Sequence, residues 1–219
     1  MFGWGHHTYI LPSESWIRHI AYLISMTELI IIGIMIWNWK RSLSNAQRHL
    51  HKISYWFVLS SDAWIMVNLI LAIAISIPFI NYYTHGTHIT VAHAMGTTIG
   101  INTTILLASV FFIVSEKHAS LIQGYHVSIK RGFWLFHVSL FLFWICLIAG
   151  GIGRSYYMYF DTTVIFREML RAIKPTMIAF VISGIGILIG LLMVTAPLLS
   201  IFYSSLTSNK INNEGSFEN

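Results

Sequence analysis

Five long apolar runs dominate this chain and leave almost no length over for a water-soluble fold. They cover residues 16–39, 55–80, 89–114, 133–152 and 175–203. A helix rises 1.5 Å per residue, so each run can cross roughly 30 Å of hydrocarbon. Apolar helices of this kind also occur inside large soluble cores, and charge decides between the two. Only 10% of the residues are charged, against about 25% in a soluble domain, too few to coat a water-facing surface. The expected fold is an all-α polytopic transmembrane bundle of about five membrane helices over 16–206. A loop over 1–15 precedes it and a flexible polar tail over 207–219 follows. The 8 tryptophans suit positions at the two faces of a bilayer.

The formal charge of +5 would suggest nucleic acid in a soluble protein. Between membrane spans it reads as orienting charge, with the bilayer and no nucleic acid as the partner. Alternate loops share a side. One side holds eight Lys or Arg: Lys40, Arg41, Arg48, Lys52, Lys117, Lys130, Arg131 and Lys210. The other holds five: Arg18, Arg154, Arg167, Arg171 and Lys174. The richer side is expected to be cytoplasmic, which puts His6, His7, His85 and His88 outside. No basic leader precedes the first run, so the helices themselves are expected to direct insertion. The single cysteine, Cys146, reads as a small buried hydrophobe.

Ionisable side chains at membrane depth are costly and tend to mark function. His6-His7 could turn two imidazoles toward one Fe, Cu or Zn ion, although an exposed terminal pair is the ordinary alternative. The stretch Thr84-His-Gly-Thr-His-Ile-Thr-Val-Ala-His93-Ala-Met95-Gly96 opens an apolar run. His93 lies more than a turn inside that run and needs a partner, for which a metal would serve. Met95, two residues on, faces roughly the opposite way on a helix, as a second ligand or as packing. Gly96 and Gly100 would let a flat cofactor or another helix approach. Glu28 lies near the middle of the first run with no cation within a turn, either protonated or facing a polar interior. Arg167 and Arg171, four apart, could pair with carboxylates or face lipid headgroups. The linker that carries them, 154–174, is expected as a loop or a short surface helix. His49 and His51 read as solvated in a basic linker, and His137 has no polar context.

Three segments carry a family resemblance. Gly3-Trp-Gly-His-His-Thr-Tyr9 resembles the GxGHHYY segment of the catalytic subunit of bacterial respiratory nitric oxide reductases. Those proteins belong to the haem–copper oxidase superfamily. The stretch NYYTHGTHITVAHAMG, from Asn81 to Gly96, is similar to that subunit's NYYTHGSQLTAAHGHLAFYG, and SMTELIIIGIM to its SALEPLPFFAM. The segments keep the family's order and spacing. The resemblance implies that His6 and His7 hold a non-haem iron, FeB, with copper as the alternative metal there. It makes His93 the axial ligand of high-spin haem b3, and Glu28 the acidic residue near FeB. The family has a second histidine, ligating low-spin haem b, where this chain has Met95. Arg167 and Arg171 would be available to haem propionates.

The family subunit has about twelve helices, and this chain resembles its C-terminal half. The resemblance therefore implies a split catalytic subunit with a separate N-terminal half, in a bacterial inner membrane. A cytochrome c-type small subunit or a quinol would supply electrons, and NO would be reduced to N2O. An oxygen-reducing oxidase and a nitric oxide dismutase are the alternatives within the superfamily. A transporter or a non-catalytic membrane subunit is the alternative outside it.

Overall fold

The structure, a computed structural model, describes residues 14–42 and 51–215, apart from the side chains of residues 25, 28, 29 and 208–215. Every element among the described residues is helical. Helix α1 is Ser15–Ser42, α2 Lys52–Ser76, α3 Pro78–Thr84 and α4 His88–Met95. A π-helical stretch, Gly96–Thr103, joins α4 to α5, Thr104–Gly124. Helix α6 is His126–Tyr159 and α7 is Phe166–Gly215.

Four rods among the described residues are long and apolar enough to cross a membrane: Lys52–Ser76, His88–Gly124, His126–Tyr159 and Phe166–Thr207. The first expected span is also helical, with 28 residues in α1, about 42 Å at 1.5 Å per residue. The most apolar stretches of the four rods are only 22% to 39% buried. Leu106, Ile182 and Leu188 are among many large apolar side chains pointing outward. Such a surface is stable in lipid and would aggregate in water.

The ends of the rods have local causes. Pro78 opens α3, where its missing N–H costs nothing. Gly86, at φ 71°, makes the turn that follows. The Thr87 hydroxyl then caps α4 by accepting from the Ile89 N–H at 3.2 Å. Pro175 and Pro197 lie inside α7, where each removes one backbone donor and favours a kink. The expected long linker over 154–174 is not a loop. Helix α6 runs to Tyr159 and α7 starts at Phe166, so Arg154, Arg167, Arg171 and Lys174 all sit on helices. Apolar periodicity cannot see these turns, because the helices continue past the hydrocarbon into the headgroup region.

Side-chain contacts show which ends lie together. Tyr82 and Tyr83 pack on Tyr159 at 5.3 and 5.2 Å, and Phe160 stacks on Tyr83 at 5.4 Å. This is an aromatic belt at one end of the bundle. At the other end Trp56 meets His126 at 5.6 Å, and the Tyr125 hydroxyl lies 3.1 Å from that of Ser200. Two apolar clusters fill the space between. One is built on Phe57, Phe111, Ile129 and Val194. The other is built on Trp64, Ala92, Phe136 and Leu140. The closest seam, between α6 and α7, depends on missing side chains. A Cβ on Gly190 would lie 2.5 Å from the Phe136 backbone nitrogen, and one on Gly186 would meet Ser139. Small residues four apart are what lets membrane helices touch along their backbones.

Candidate functional site

Helix α4 is pressed against α6 at Gly151, where a Cβ would stand 2.6 Å from the Ile89 nitrogen. That contact fixes Ile89 and Ala92 inward, both buried. His93 is one position further round and is half-buried, with its Nδ1 buried. It lies five residues into the helix, about 7.5 Å of rise. Met95 turns the other way, as its spacing predicts, and packs on the cluster of Trp64 and Phe136.

Gly96 and Gly100 admit another helix here. A Cβ on Gly96 would run into Asn68, and one on Gly100 would be 2.7 Å from the Trp64 ring. Helix α2 therefore fills both places. Asn68 Nδ2 donates to Thr97 Oγ1 at 2.8 Å, and Thr97 Oγ1 donates to the His93 carbonyl at 3.2 Å. The backbone after His93 then widens into the π-helical stretch. There the hydroxyls of Thr103 and Thr104 reach back five residues, to Thr98 and Ile99. π-Helical turns are rare and concentrate at functional sites.

The remaining sequence candidates are spread out. His85 caps the end of α3. His88 is half-buried beside Gly150. Arg167 and Arg171 are exposed on the first turns of α7. Glu28 lies in α1, but its side chain is outside the described residues, as are His6 and His7 altogether. Cys146 is half-buried and free. Among the described residues no three His, Cys, Asp or Glu side chains come together as a metal site would require.

Three ionisable residues do more than the sequence suggested. His51, expected to be solvated, sits at the N-cap position of α2, and its ring reaches α5, with Nε2 3.0 Å from Glu116 Oε1 and Nδ1 2.9 Å from Ser115 Oγ. His137, which showed no polar context, accepts at Nδ1 from the Trp64 indole N–H at 3.3 Å. Its ring is caged by Phe133 at 4.5 Å and Phe136 at 4.8 Å. Asp62, in the middle of α2, pairs with Lys40 of α1 at 3.1 Å. The rule that singles out Glu28, an ionisable group within an apolar run, applies equally to Asp62 and His137. What it lacks is the partner, which comes from another helix in each case.

The Lys40–Asp62 pair gives a prediction. The Asp62 side chain is only 11% exposed and that of Lys40 36%. Removing one member of a buried pair costs about 3–5 kcal/mol, and the exposure of Lys40 reduces this to about 2 kcal/mol. Lys40→Met should lower the unfolding midpoint in detergent, and adding Asp62→Asn should restore most of it. Additive losses in that double-mutant cycle would mean that the two groups are not coupled.

An axial haem histidine keeps one ring nitrogen on the protein side and offers the other to iron. The His93 Nδ1 is buried and its ring stands on a half-buried face of α4. Met95 is partly buried against the cluster of Trp64 and Phe136. Residues 1–186 match the family model described as Cytochrome C and Quinol oxidase polypeptide I. No curated protein matches the chain.

Proposed function

Because the chain belongs to the cytochrome c and quinol oxidase polypeptide I family, whose members are haem–copper oxidase-type oxidoreductases of the membrane, we propose that it works as the C-terminal half of a nitric oxide reductase catalytic subunit. Its other half, linked or separate, would complete the site. The observation that carries this reading is the order of His6-His7, Glu28 and His93 along one chain, all within the matched residues. Glu28 is the feature that favours NO over O2, since the segment around it resembles the reductase and the copper-containing oxygen reductases lack that acid.

In this reading His93 would hold haem b3 from α4, and His6 and His7 would hold the non-haem iron. The metals would relay electrons from the donor and offer the binding places for two NO molecules. The protein's own part is positional. Thr97 and Asn68 tie the His93 backbone to α2, and Glu28 would hold or pass protons near the second metal. Low-spin haem b, with Met95 at its position, and the propionate contacts of Arg167 and Arg171 belong to the same proposal. So does a cytochrome c-type subunit or quinol as the electron donor.

Metal counting and gas analysis on the purified complex test this. Iron in the second site and N2O from NO, with two electrons consumed per N2O, are the expected results. One copper per high-spin haem with O2 consumption would make it an oxygen reductase instead. O2 released from NO would make it a dismutase, and a complex free of haem would leave a non-catalytic subunit.

A further inference from the structure

An apolar cavity of about 530 Å3 opens between α2 and α6. Trp56, Trp64, Trp134 and Phe141 form its walls, and among the described residues no acidic side chain lines it. It shares Lys130 and Trp134 with a second cavity, of about 520 Å3, that continues to His126 and Arg131. Among the described residues this second cavity also has no acidic lining residue. The two adjoin at Lys130 and Trp134, which sets a cationic mouth beside an apolar groove. From Lys130 to Phe141 the groove follows about 16 Å of helix.

The mouth is built at one level of the membrane. Lys130 and Arg131 are exposed in the second turn of α6. Lys52 opens α2 and lies over the Trp56 ring, 5.5 Å from its centroid. The same ring meets His126 at 5.6 Å. Lys130 and Arg131 thus line one tryptophan-walled opening, with Lys52 next to it over Trp56, at the end of the bundle opposite the tyrosine belt. Trp134 is 58% exposed and forms one lip, as an amphipathic ring does at headgroup depth.

We infer that this groove is a binding site for an anionic phospholipid, its phosphodiester at Lys130 and Arg131 and one acyl chain along the tryptophan wall. The charge supports this occupant: Lys130 and Arg131 line the mouth, Lys52 stands over the adjoining Trp56 ring, and among the described residues neither cavity lining offers a carboxylate to repel the phosphate. Basic pockets between membrane helices hold acidic headgroups in this way. A zwitterionic lipid would fill the apolar part equally well but would gain less at the mouth. Inorganic phosphate would meet the cations and gain nothing from the wall. The inference requires only the membrane bundle and is independent of the reaction proposed above.

The test uses the purified complex stripped of lipid by detergent exchange. Phosphatidylglycerol and phosphatidylcholine are added at equal concentration, and retained lipid is counted by native mass spectrometry. At least tenfold preferential retention of phosphatidylglycerol is expected, with no displacement by millimolar inorganic phosphate. Lys130→Gln/Arg131→Gln should abolish the preference while helical circular dichroism stays unchanged. Trp134→Ala should weaken retention of both lipids. Equal retention of the two lipids, full competition by phosphate, or an unchanged preference in the double variant would each overturn the proposal. So would a photocrosslinker at position 134 that labels a protein chain in place of lipid. Should the double variant misfold, the same crosslinker in an otherwise unaltered chain decides between lipid and protein.

Discussion

His93→Ala should remove the high-spin haem signal from the assembled complex and leave the bundle intact. The expected effect is all or none, because a haem with one protein ligand loses its only covalent link to the chain. The fold should tolerate the change. His93 is half-buried, and the packing that holds α4 runs through Ile89 and Ala92 against Gly151. Added imidazole should restore part of the signal by entering the space the side chain leaves. Optical and electron paramagnetic resonance spectra report the haem, and far-ultraviolet circular dichroism reports the helices. An unaltered haem spectrum in a correctly assembled variant would reject His93 as the ligand. A lost haem together with lost helicity would instead assign His93 to packing. Thr97→Val offers a graded version, since it cuts the hydroxyl bond to the His93 carbonyl and keeps the ring.

The second large effect is expected at the seam of α6 and α7. Gly190→Ala should destabilise the protein by about 3 kcal/mol, the upper range for overpacking a closed interface. The new methyl group would meet the Phe136 nitrogen at 2.5 Å and its Cα at 2.8 Å. Backbone atoms cannot swing aside as a side-chain end can, so one helix must move. Gly184→Ala, on the same helix, is the internal control. Its Cβ would meet the Phe143 ring at 3.7 Å, an ordinary contact. Replacing glycine by alanine within a helix favours the helix by up to about 1 kcal/mol. The two substitutions should therefore shift the unfolding midpoint in opposite directions. Equal shifts would show that helix propensity, and not the seam, sets stability there.

The sequence by itself determined the medium and the element type. Long apolar runs with 10% charge can be satisfied only by helices in lipid, because each backbone polar group must be paired within its own segment. It also placed His93 and Met95 on opposite sides of a short helix, since a two-residue step turns the chain by about 200°. The Gly96–Gly100 spacing announced a close approach. Only the tertiary structure decided what approaches: Asn68 and Trp64 come from a helix earlier in the chain, 28 residues before Gly96 and 36 before Gly100 respectively, and no local pattern encodes that pairing. The same holds for Asp62 with Lys40, His51 with Glu116, and His137 with Trp64. Each group is visible in the sequence as an ionisable residue, but its meaning lies in a partner on another rod. Helix ends were the other blind spot. Hydropathy marks where lipid begins, whereas backbone hydrogen bonding carried α6 and α7 on through the charged stretch around 154–174. Periodicity along one helix fixes which side a residue faces, and packing between helices fixes what it faces. The groove between α2 and α6, with its tryptophans and its lysine mouth, is visible only once the second is known.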